Sequence, residues 1–206
     1  HLGVSDGLSQ VCIPSIYQDE LGAVWLGTTE GLNRYNGKDV RVFQPSESNH
    51  GLTNNEINEL CGDKNGRMYI RSGNDLIKLD IYTEQFTCLR QKGVYGLFCK
   101  KDTLWVSCAD GIYYYTGQGT ELTFFARVQK GFVGRALYVD KETVWVVTRK
   151  YLVAISREDP LRQEILLTLD KGNCILGDSS GNIWVGAWNG LYRAVSYTHL
   201  RAHETK

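Results

Sequence analysis

Few residues in this chain have the type and setting to do chemistry, and those that do favour binding over catalysis. There are four histidines, His1, His50, His199 and His203. The last two fall in an aberrant tail and His1 stands at the very start. A Ser-His-Asp or Cys-His site would therefore have to be built on His50, in the loop 45–53. A solvated surface histidine is the simpler reading. The six cysteines, Cys12, Cys61, Cys88, Cys99, Cys108 and Cys174, contain no Cys-x-x-Cys pair, so no zinc knuckle is expected. They read as small buried residues on strands. Asp63-x-Asn65-Gly66 opens like a calcium loop but lacks the later ligands and reads as a turn. Gly117-Gln118-Gly119 is too short for a dinucleotide loop. Carboxylates are plentiful, but the sequence singles out no pair for glycosidase work. No catalytic residue, metal or cofactor is assigned.

The binding candidates are more specific. Trp188 offers an apolar ring with a polar N–H, which suits stacking on a sugar. Arg71 and Arg149 could grip a carboxylate or sulfate through two parallel hydrogen bonds. Asn189 follows Trp188, and Asn54, Asn55, Arg135 and Asn173 lie just ahead of, or at the start of, other extended segments. The competing reading packs Trp188 on a neighbouring sheet and leaves the arginines solvated.

A repeat positions these residues. Gly22-Ala23-Val24-Trp25-Leu26-Gly27-Thr28-Thr29-Glu30-Gly31-Leu32-Asn33-Arg34-Tyr35 returns as Gly181-Asn182-Ile183-Trp184-Val185-Gly186-Ala187-Trp188-Asn189-Gly190-Leu191-Tyr192-Arg193. Weaker copies centre on Tyr69, Trp105 and Trp145. The anchors Trp25, Tyr69, Trp105, Trp145 and Trp184 are spaced by 44, 36, 40 and 39 residues. That period suits a four-stranded propeller blade.

The pattern within a repeat is β. Residues 57–61, 67–72, 76–80 and 85–90 are short runs of β-branched, aromatic and aliphatic residues broken by Asp/Asn/Gly turns. Glu30-Gly31, Asp110-Gly111 and Asn189-Gly190 mark tight hairpins. The expected fold is all-β, an incomplete β-propeller arc of about four and a half four-stranded blades. Its repeats would cover about 7–50, 51–93, 94–131, 132–172 and 173–194. The anchor aromatics are expected to fill the volume between sheets. Gly27 and Gly186 should leave room for a neighbouring blade. On each blade, the exit of the second strand and the entry to the first share one face, and that face carries the binding candidates.

Bulk composition excludes some partners. The formal net charge is zero, which argues against a nucleic-acid or anionic-membrane surface. No apolar run is long enough to cross a bilayer as a helix.

Asp6-Gly7-Leu8-Ser9, with Asp19-x-x-Gly22-x-Val24-Trp25-Leu26-Gly27-Thr28-x-x-Gly31-Leu32-Asn33-Arg34-Tyr35, resembles the regulator-propeller repeat of bacterial two-component sensors. The resemblance is strongest to the periplasmic sensor region of hybrid two-component histidine kinases. It is close in the first and last repeats and loose in the middle three, where Tyr69 replaces Trp and Arg71 replaces Gly. It implies a periplasmic, non-catalytic domain that senses an oligosaccharide or another small ligand. It further implies that the arc comes from a seven-bladed ring, with a second propeller, a homodimer and a kinase output elsewhere in the full protein. Residues 195–206 break the repeat and read as a translated sequencing adapter, so native sequence is expected to end near Ala194. The residues alone leave two other readings open, a carbohydrate-active propeller enzyme and a protein-interaction scaffold.

Overall fold

A computed structural model describes residues 1–45, 51–90 and 92–195. His50 and the tail 196–206 lie outside the described residues. The chain divides into two compact units, His1–Arg127 and Val128–Lys206.

The first unit contains three four-stranded antiparallel sheets. These are β1–β4 (Ser15–Gln18, Val24–Thr28, Gly31–Tyr35, Val40–Phe43), β5–β8 (Ile57–Gly62, Arg67–Ser72, Asp75–Asp80, Gln85–Arg90) and β9–β12 (Val94–Lys100, Thr103–Cys108, Gly111–Tyr115, Thr123–Ala126). The second unit contains β13–β16 (Gly134–Val139, Thr143–Thr148, Tyr151–Ser156, Gln163–Thr168) and a three-stranded sheet β17–β19 (Gly172–Gly177, Asn182–Ala187, Gly190–Val195). Each strand pairs with the next, so every sheet is an up-and-down meander, the blade of a β-propeller. The described helical residues form only two short 3₁₀ turns, Val4–Asp6 and Gln129–Gly131.

The repeated formula is mostly packing and locking chemistry. Trp25 and Tyr69 are fully buried, Trp105 and Trp145 nearly so, and Trp184 is partly buried. Trp25 joins Leu60 and Met68 in a core between the first two blades, and Tyr69 joins Leu97 and Leu104 between the second and third. Trp145 joins Ile183 and Val185 in the second unit. The turn aspartate locks the anchor. Asp19 accepts the amides of Leu21 and Ala23 on Oδ1, while the indole N–H of Trp25 donates to its Oδ2 at 2.7 Å. Asp140 holds Trp145 and Asp178 holds Trp184 in the same way, at 2.7 and 2.8 Å. Where Tyr69 replaces Trp, its hydroxyl cannot make this bond. Instead Arg67 Nε sits 3.2 Å from Asp63 Oδ2 as an ion pair. The other formula residues also have jobs. Thr28 Oγ1 donates to Gly31 O at 2.8 Å and closes the β2–β3 hairpin. Arg34 and Arg193 lie cross-strand from Trp25 and Trp184, with each guanidinium over the ring. Ser9 is pinned to the first blade, its amide donating to Asn33 Oδ1 at 2.9 Å.

One expectation is met and another needs correction. Gly27 does admit the next blade, since a Cβ there would sit 2.9 Å from Ile57 O. At Gly186 the atom nearest such a Cβ is Cys174 Sγ of its own sheet, and the described residues hold no sheet after β17–β19 that could approach it. The cysteines are not all buried. Cys108 is buried and Cys61, Cys88 and Cys99 are partly so, but Cys12 and Cys174 are exposed, Cys12 outside any strand and Cys174 at the first-strand rim of its blade.

Candidate functional site

The second unit has a cleft of about 510 Å³ on one rim of its blades. Arg135, Arg149, Lys171, Asn173 and Trp188 form its walls, and Gly172, Cys174, Gly186 and Ala187 complete the lining. That volume lies within the range of small-molecule sites.

Two structural devices bring these side chains together. The first is a β-bulge at the start of each blade's first strand. The β13–β14 register slips between Gly134 and Ala136, and the β17–β18 register slips between Gly172 and Cys174. The extra residues are Arg135 and Asn173. A bulge re-aims the side chain it carries, and both residues line the cleft. The second device is the hairpin after the second strand, which carries Arg149 in one blade and Trp188 in the other. Backbone bonds fasten the segment 169–172 against both hairpins. Leu169 N donates to Lys150 O at 2.7 Å, Gly172 N to Arg149 O at 3.0 Å, and Trp188 N to Asp170 O at 2.9 Å.

The cleft is electropositive. Arg135, Arg149 and Lys171 supply three cations, and no lining residue is acidic. Trp188 is 78% exposed. Lys171 Nζ stands 4.9 Å from the centroid of its ring, a cation–π contact that steadies both side chains. Such a site can hold an anionic group between guanidinium forks while an apolar ring face rests on the indole.

Four of the candidates read from sequence, Arg135, Arg149, Asn173 and Trp188, therefore meet in one cleft. Asn189 is exposed beside it but does not line it. Lys171 is missed by the sequence reading. Its left-handed backbone, with φ of 48°, and its place ahead of a bulge carry no residue-type signal.

Arg71, Asn54 and Asn55 lie in the first unit and have structural partners. Arg71 Nε is 3.4 Å from Glu59 Oε2, and its Nη1 donates to Gly73 O. Glu59 also accepts the amide of Leu97. Burial pushes the Glu59 carboxyl up to about 7, although Arg71 and that amide pull the other way. Asn54 Oδ1 accepts the amide of Glu56, and Asn55 O accepts the amide of Gly31 from the preceding blade. In the first unit, the bulge positions equivalent to Arg135 and Asn173 are Asn58 and Tyr95, and the Asn58 side chain donates to Gly73 O.

Comparison with known proteins agrees with the blades. Residues 7–30 match the family model of the two component regulator propeller. That match covers the start of the first blade. The chain's blades superimpose on the extracellular domain assigned to a hybrid two component system of B. thetaiotaomicron, with TM-score 0.83 and 23% identity, over 96% of this chain and 30% of that one. They also superimpose on an extracellular domain assigned to a one component system of the same organism, with TM-score 0.79 and 20% identity, over 95% and 31%. Histidine kinase P4 of Formosa agariphila is 41% identical over 39 residues, which are 19% of this chain and 3% of that protein. The chain thus spans under a third of these solved domains and a small part of the curated relative. No helix among the described residues is long and apolar enough to cross a membrane.

Proposed function

We propose that the chain belongs to the periplasmic ligand-sensing region of a two-component sensor kinase, and that the cleft of the second unit takes an oligosaccharide bearing carboxylate or sulfate groups. One observation carries this reading: three cations and an exposed tryptophan surround a cleft with no carboxylate in its lining. The same observation argues against glycoside hydrolysis there, which requires paired carboxyl groups. The role is therefore binding, with histidine kinase output, a second propeller and a homodimer belonging to the rest of the sensor. Signalling follows if the ligand binds two arrangements of that sensor unequally.

Calorimetry on the complete sensor region tests the reading, using uronate-bearing and sulfated oligosaccharides beside neutral ones of equal length. The anionic ligands should bind without turnover, and affinity should fall as salt rises. Equal affinity for the neutral set, or release of shortened products, would defeat it.

A further inference from the structure

Between neighbouring blades, one pair of positions recurs. The first partner is the first-strand residue opposite the anchor, and the second is the next blade's first-strand residue opposite the position before its anchor. At the β1–β5 junction the pair is Tyr17 and Gly62, and the tyrosine ring fills the space where a Gly62 Cβ would stand. At the β13–β17 junction the pair is Tyr138 and Gly177, packed in the same way. At the β5–β9 junction the equivalent residues are Cys61, opposite Tyr69, and Cys99, opposite Leu104. A large side chain lying on a glycine has been replaced by two cysteines. Their sulfurs are 3.0 Å apart, inside the ordinary contact distance of two thiols. Closing to a bond of about 2.05 Å needs only a small side-chain rotation.

We propose that Cys61 and Cys99 form a disulfide under oxidising conditions, stapling the second blade to the third. The setting rests on the periplasmic reading above, because disulfides persist in that compartment. The chemistry is thiol–disulfide exchange with a dithiol oxidant, either an oxidised thioredoxin-like protein or a small disulfide. One cysteine thiolate attacks the oxidant's disulfide and expels one thiol. The other thiolate then attacks the mixed disulfide and expels the second. Two electrons and two protons pass to the oxidant, and one S–S bond forms in the chain. Burial raises the Cys61 thiol well above its ordinary value, so exchange should quicken as pH rises. The bond would close a loop across 38 residues, and the strands it joins already touch.

The purified chain, incubated with glutathione disulfide, alkylated and digested without reductant, provides the test. Mass spectrometry should find one cross-linked peptide pair joining Cys61 to Cys99, lighter by two hydrogens than the separate thiol peptides. The other four of the six cysteines should be alkylated. The melting temperature should fall when dithiothreitol is added, and Cys61→Ser and Cys99→Ser should each abolish that fall. Alkylation of both thiols, glutathione adducts on each, or bonding of either to another cysteine would overturn the proposal. A fusion reporter on the complete gene reads the compartment independently. If it reports cytoplasm, the location is wrong while the pairing result stands.

Discussion

The rim position four residues after the anchor separates the two units. In the first unit it is Thr29, Gly73 and Ala109, and in the second it is Arg149 and Trp188. The bulge residues differ in parallel, with Asn58 and Tyr95 in the first unit and Arg135 and Asn173 in the second. The same backbone frame therefore carries small residues at the second-strand exits of one unit, and a cation and an exposed ring at those of the other. Arg71 shows the contrast most directly. It has the side chain of a ligand grip, yet Glu59 and Gly73 O already hold it. For Arg135 and Arg149, no carboxylate partner is found among the described residues. On the proposed reading, a binding residue is set by what its neighbours leave unsatisfied, more than by its own type.

The largest expected effect concerns what both units share. Asp19→Ala removes the acceptor of two amides and a buried indole N–H, and should cost roughly 2–4 kcal/mol in denaturant unfolding followed by tryptophan emission. Asp178→Ala at the more exposed equivalent should cost clearly less, and equal losses would mean burial does not set the strength of the lock. Its carboxyl is held down to about 2, chiefly by the Trp184 indole, so its contribution should fade only as pH drops from about 3.8 through that value.

The next effects test the difference between rims. Arg149→Ala should weaken anionic oligosaccharide binding about 10- to 100-fold, the loss expected of a charge-assisted pair. Arg71→Ala should leave that affinity unchanged, and a comparable loss there would erase the distinction between the units. Trp188→Ala should weaken binding by about 3- to 10-fold, as expected for the loss of one stacked face.

The smallest effect is a pH dependence confined to the first unit. In the folded chain Glu59 ionises near 7 rather than 4.5, so the folded state keeps a proton that the unfolded chain releases. Stability should therefore decline as pH rises between those values. Solvent screening of this partly exposed group limits the decline to about 1 kcal/mol. Comparing melting temperatures of the parent chain and Glu59→Gln at pH 5 and about 8 reads it, and the variant should show a flatter profile.

Much of the fold was legible because the formula is local. The anchor spacing, the Asp/Gly turns and the hairpin glycines place the strands to within a residue or two, since period-two burial and turn chemistry act over a few positions. The rim side of the cleft was legible too, because the second-strand exit and first-strand entry share a face in any such blade. Other features were hidden. Sequence alternation does not reveal a bulge, so Arg135 and Asn173 were named without the reason they point into the cleft, and Lys171 was overlooked.

By itself the sequence determined the repeat, the β-meander within each repeat and the aromatic anchors, all set by short-range sterics and hydrogen bonding. Only the tertiary structure decided which cations stay unpaired and which cysteines meet. Those outcomes depend on groups far apart in the chain, such as Arg149 beside Gly172 or Cys61 beside Cys99. No local pattern encodes that proximity, which arises when blades pack and long-range neighbours either satisfy a polar group or leave it open.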